Sequence, residues 1–119
     1  MYISAILTPV VTDSFETTVA FYQKITGKEV TLSASHDGYK LNLIGHFVVL
    51  AALDDPRALD IPRMVNAIFL VEDLEYFWEL IQNDIVKVIV PYSQVSTGKR
   101  FIVEQNDGKV IEYLQLNKS

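Results

Sequence analysis

The alternation of apolar and polar positions divides the chain into two stretches that repeat one order of elements. Tyr2 to Val11 is apolar and β-branched except at Ser4 and Thr8, which predicts a strand. Pro9 puts that strand at an edge or gives it an irregular end. Thr12-Asp13-Ser14 is a cluster of N-cap residues, with Thr17 instead of Glu three residues after Ser14, so the capping box is partial. Phe15, Val19, Tyr22 and Ile25 then recur at helical spacing, and Gly27 stands where such a helix stops. Val30 to Ser33, Tyr39 to Ile44 and Phe47 to Leu53 read as three further strands. They are joined by the turns Ser35-His36-Asp37-Gly38 and Gly45-His46. The first stretch is β-α-β-β-β.

Asp54 to Pro62 is polar, carries Pro56 and Pro62, and reads as a linker. The pattern then begins again. Val65 to Val71 is a strand, Asp73 caps a helix, and Leu74, Phe77, Trp78 and Ile81 form its apolar stripe. Ile85 to Val90, Lys99 to Glu104 and Lys109 to Leu114 complete the second set of strands, the last following the turn residues Asn106-Asp107-Gly108. Asp13 and Asp73 stand 60 positions apart, half of the 119 residues. The prediction is one α+β domain over residues 1–119: module one over 1–53, a linker over 54–62 and module two over 63–119. Phe21, Tyr22, Phe77 and Trp78, at helical spacing, are predicted core.

Composition narrows the function classes. Half of the residues are hydrophobic and 21% are charged, an ordinary globular balance. There is no cysteine, which excludes disulfides, thiolate zinc sites and a cysteine nucleophile. Net charge is −5, and the ten Lys and Arg are scattered, with no cluster longer than Lys99-Arg100. That is the wrong distribution for a nucleic-acid backbone. No apolar run approaches the roughly 20 residues of a membrane span. Met1-Tyr2-Ile3-Ser4 lacks a basic n-region, and the expected address is the cytoplasm.

Val10-Val11-Thr12-Asp13, followed by Phe21-Tyr22 and Gly27, resembles the first-module signature of the vicinal-oxygen-chelate superfamily, the group of glyoxalase I, bleomycin-resistance proteins and extradiol dioxygenases. Val71-Glu72-Asp73-Leu74 and Asn106-Asp107-Gly108-Lys109-Val110-Ile111-Glu112 resemble its second-module signatures, so the resemblance spans nearly the whole chain. It implies two tandem βαβββ modules, each a curved mixed sheet forming half a cup with a helix on its outer face. It also implies where metal ligands would stand: seven residues before each capping aspartate, at Ile6 and Asn66, and on the last strands, at Glu112 and, matching Gly45 to Gly108, at Val49. Ile6 and Val49 cannot coordinate, and Asn66 offers only an amide oxygen. One carboxylate and one amide do not hold a divalent transition metal against water. The implied protein is a metal-free member without a cofactor. It would bind a small molecule in the cup, commonly as a homodimer that exchanges modules.

Strand parity adds a site independently. Ser4, Ile6, Thr8, Asn66, Ile68, Phe47, Val49, Ala51, Val110, Glu112 and Leu114 fall on one face, expected to be the cup. Ala5, Leu7, Val65, Ala67, Phe69, Val48, Leu50, Ile111 and Tyr113 fall on a uniformly apolar face, expected under the helices. Glu112, a carboxylate inside an apolar strand, needs a partner, a ligand or water. It is either a ligand contact or a structural partner of Asn66 or Arg100. Phe47 and Tyr92 are candidate stacking walls, Tyr92 from a loop after Pro91; Asn66 and Arg100 are candidate polar anchors. His36 and His46 read as turn residues. Two other functions stay open. One is a metal-dependent lyase, isomerase or dioxygenase using Glu112 as ligand or base. The other is a structural dimeric module whose cup is filled by its own side chains.

Overall fold

The computed structural model describes residues 2–118. Its elements are β1 (Ile3–Val11), α1 (Phe15–Thr26), β2 (Val30–His36), β3 (Tyr39–Ile44), β4 (Phe47–Ala52), α2 (Asp60–Met64), β5 (Ala67–Val71), α3 (Leu74–Leu80), β6 (Ile85–Val95), β7 (Gly98–Gln105) and β8 (Val110–Leu116). The tandem β-α-β-β-β order is present, in an α+β fold. The chain divides into two compact units, residues 8–64 and residues 2–7 with 65–118. β1 supplies a strand half to each.

In the 8–64 unit, Thr8–Val11 lies parallel to β4, and β4, β3 and β2 follow as antiparallel neighbours. α1 forms where the 3.6-residue stripe predicted it. Val19 is buried with Ile44 and Val49, and Phe15, Tyr22, Val10 and Val30 pack around them. Phe21, predicted core, is 51% exposed and touches Tyr22 only edge-on. The apolar stripe is narrower than the run of aromatics suggested. Gly27 ends the helix at φ 69°, donating its N–H to the Gln23 carbonyl, a left-handed cap that glycine adopts without a Cβ clash. The segment predicted as a plain linker carries a 3-10 turn, Pro56–Leu59, leading into α2, and Leu59 is buried. Asp55 accepts the Arg57 backbone N–H and pairs with its guanidinium at 2.7 Å. That exposed pair holds the turn's shape more than it stabilises the fold.

In the other unit, Ile3–Leu7 runs antiparallel to β5, β5 runs parallel to β8, and β7 and β6 follow antiparallel. α3 is short. Asp73 caps it by accepting the Tyr76 N–H at 3.2 Å, and Gln115 Oε1 accepts the Leu74 N–H at 2.9 Å. Two of the orphan donors of the first turn are thereby satisfied. The helix lays Leu74 and Phe77 on Val71, Phe101, Val103, Ile111 and Tyr113. Phe101 stacks on Tyr113 at 4.9 Å and 19°, and Trp78 meets Phe101 edge-on at 4.9 Å. β6 runs past Pro91 to Val95 instead of ending at Val90. It pairs only with β7 within this unit and shifts register three times. An edge strand tolerates a proline that an interior strand does not.

Tyr113 closes this core. Its hydroxyl donates to Gln105 Oε1. Burial, with the charges of Asp107 and Asp84 adding to it, pushes the phenol up to about 12. The folded pKa exceeds the usual 10, so the stabilising effect is complete below pH 10 and is lost as pH rises through 12. Unfolding followed by far-UV circular dichroism should show stability falling between pH 10 and 12. Tyr113→Phe should flatten that fall. An unchanged slope in the variant would remove Tyr113 as its source.

Candidate functional site

Each sheet has one face under a helix and one turned away, and the register decides which residues go where. Ile111 and Tyr113 lie under α3, so Glu112 lies on the opposite face. Its cross-strand neighbours are Ile68 on β5 and Ile102 on β7. Leu7 and Ala5 join this face through their pairing with Ile68 and Leu70. Arg100 pairs with Leu114 and Ser93, two positions along from Glu112. Arg100 and Glu112 are thus diagonal neighbours on one face, within reach of a long side chain. Arg100 is 8% exposed, whereas Glu112 is only half-buried. An acidic and a basic group therefore sit together among Ile68, Ile102, Leu114 and Leu7, on a face that also carries Ser93 and, opposite Val110, Glu104.

The other residues singled out in the sequence go elsewhere. Phe47 does not wall a cup. Its ring lies 4.6 Å from Tyr22 of α1, on the helix-covered face with Val49. Matching Gly45 to Gly108 caused the error. Phe47 and Val110 each stand two residues after their glycine, at the start of the strand, but Phe47 packs on α1 whereas Val110, two positions from Glu112, faces away from α3, so the same count lands on opposite faces. Val48 and Leu50, buried, occupy the face assigned to Phe47 and Val49. β1 shows the same slip. The N-cap of α1 is Ser14, not Asp13. Seven residues before Ser14 is Leu7, and Ile6 pairs with Phe69 on the helix side.

Asn66 is committed to the backbone. It donates its N–H to the Val110 carbonyl at 2.8 Å, and its Oδ1 accepts the Val110 N–H at 2.9 Å. It fastens the approach to β5 onto the start of β8. Tyr92 lies within the edge strand β6, 39% exposed, not in an overhanging loop. His46 remains in the β3–β4 turn, but His36 is the last residue of β2, half-buried and 5.0 Å from the ring of Tyr39. Pairing Ala34 with Leu41 and His36 with Tyr39 sets the histidine on the face of the 8–64 unit that α1 does not cover. Alternation from Leu32 was the signal for this, and the turn residues Asp37-Gly38 obscured it.

Metal chemistry needs convergent donors. The positions the register assigns are Leu7 and Glu112, with Asn66 held by backbone. Among the described residues no three of His, Cys, Asp and Glu come together to hold an ion.

No family model matches the sequence, and no curated protein does. Solved structures do. An uncharacterized protein from Methanosarcina mazei is 27% identical, with a TM-score of 0.87 over 100% of this chain and 97% of that one. Methylmalonyl-CoA epimerase from Mycobacterium tuberculosis is 10% identical, with a TM-score of 0.74 over 98% and 90%. The Streptomyces coelicolor methylmalonyl-CoA epimerase is 15% identical, with a TM-score of 0.72 over 98% and 100%.

Proposed function

We propose that this chain, which has the vicinal-oxygen-chelate fold, is a metal-free protein that binds a small molecule on the Glu112 face of its 65–118 unit, in the cytoplasm and as a homodimer. The observation that carries this reading is the placement of Glu112 and the buried Arg100 as diagonal neighbours among Ile68, Ile102 and Leu114. A carboxylate only accepts hydrogen bonds. A ligand suited to this face has an apolar body, to lie on Ile68, Ile102 and Leu7, and an amine or hydroxyl that donates to Glu112. Arg100, more deeply buried, positions the carboxylate. The donor set supports a metal-free site, because a single carboxylate flanked by isoleucines gives a transition metal too few ligands.

The epimerase likenesses favour a second reading, a metal-dependent lyase, isomerase or dioxygenase in which Glu112 is a ligand or base. Elemental analysis of protein purified without chelator separates the two. The binding reading expects less than about a tenth of a divalent metal per chain. Near-stoichiometric metal overturns it. Saturation-transfer NMR with a library of hydrophobic amines and alcohols should then yield ligands whose affinity falls at least about tenfold in Glu112→Gln, a loss of about 1.4 kcal/mol. Hits that bind the variant equally well would place the site elsewhere. Light scattering checks the dimer.

A further inference from the structure

The 8–64 unit holds a cleft of about 330 Å³ where the start of α1 faces the end of β4 and the segment leading into α2. It lies apart from the Glu112 face in sequence and elements, and nothing in the proposed function uses it. Its charged lining has both signs: Asp13, Glu16 and Asp54 against Lys40 and Arg63. Among the described residues, none of these five joins an ion pair within 4.0 Å. Opposite charges that line one small cleft and do not collapse onto each other leave both signs available to a guest. Lys40 shows this most clearly. Its Nζ stands 4.6 Å from the centre of the Phe15 ring, held by the aromatic face in place of a carboxylate.

A simple cation does not fit the arrangement, since no three carboxylates or histidines among the described residues converge on one point. An inorganic anion does not fit either, with three carboxylates on the same walls. A molecule with an ammonium and a carboxylate of its own matches both sets, and the volume is at the small end of ligand pockets. Phe15 and Leu59 add an apolar wall for its side chain. We infer that this cleft is a binding site for a small zwitterion of the α-amino-acid class, its carboxylate toward Lys40 and Arg63 and its ammonium toward Asp13, Glu16 and Asp54.

Titration of the ¹⁵N-labelled protein with L-leucine, isovalerate and isoamylamine tests the inference, the last two each carrying one of leucine's charges. Leucine should shift amides of residues 12–16 and 51–63 and bind at least tenfold more tightly than either control. Lys40→Gln and Glu16→Gln should each weaken leucine at least fivefold, and Glu112→Gln should leave it unchanged. Absence of shifts at 20 mM leucine overturns the proposal. So does equal binding of the two controls, or leucine affinity indifferent to Lys40 and Glu16. Because Glu112 is the control, failure here leaves the reading of the other face untouched.

Discussion

Replacing Gly98 by alanine should destabilise the protein by roughly 3–5 kcal/mol, the far end of what single residues do. Gly98 opens β7 opposite Leu116 of β8, and it is buried. A Cβ there would stand 2.0 Å from the carbonyl oxygen of Gln115 and 2.9 Å from its carbon. Both are backbone atoms in a paired strand, so no side-chain rotation relieves the overlap. The strands must part, and the Leu74 N–H then loses the Gln115 side chain that caps α3. Thermal denaturation should show a fall of more than about 10 °C. Gly108→Ala is the control. Gly108 has φ 84° and nothing within 4 Å of its Cβ position, so it carries only the conformational cost of about 1–2 kcal/mol. If Gly98→Ala costs no more than Gly108→Ala, the close approach is not the reason for the glycine.

Phe101→Ala should cost about 3–5 kcal/mol for a different reason. Phe101 is fully buried and touches both Tyr113, stacked, and Trp78, edge-on. Removing its ring opens a cavity that the short helix α3 and a fixed sheet cannot close. Denaturant unfolding monitored at Trp78, the chain's single tryptophan, reads the loss directly. A double-mutant cycle with Tyr113→Leu should give a coupling of about 0.5–1.5 kcal/mol. A loss below about 1.5 kcal/mol for Phe101→Ala would mean that the core repacks and that the aromatic stack is not its centre.

Element type and order were readable from the chain because they depend on spacing within one segment. Phe15, Val19 and Tyr22 select a helix, and the β-branched residues of β8 select a strand, wherever the rest of the chain goes. The face opposite α3 was readable too, since Ile111 and Tyr113 alternate with Glu112. What failed were the counts carried across a turn in the first module, to Val49 and Ile6. Parity says that Phe47, Val49 and Ala51 share a face; it does not say which face. That depends on the β3–β4 pairing, which sets Phe47 opposite Ile44 under α1, and on whether Ser14 or Asp13 caps α1. One residue is enough to exchange inside and outside in a strand. Asn66 escaped for another reason. Its partner is a backbone amide 44 positions away, and an amide carries no sequence signature. Pro91 was misread as a stop because the sequence does not announce which strand will be an edge.

The division of β1 has a consequence for how the protein is made. Residues 8–64 are continuous, and every strand pairing in that unit can form once β4 has been synthesised. Ile3–Leu7 must wait for β5, and β5 waits in turn for β8, its parallel neighbour and the last strand of the unit. β1 is therefore half folded early and half folded late. Until β5 has been synthesised, Leu7, buried in the finished fold, has no strand partner on the growing chain. A chaperone that holds short apolar segments would find its binding site there, and would lose it when β5 arrives.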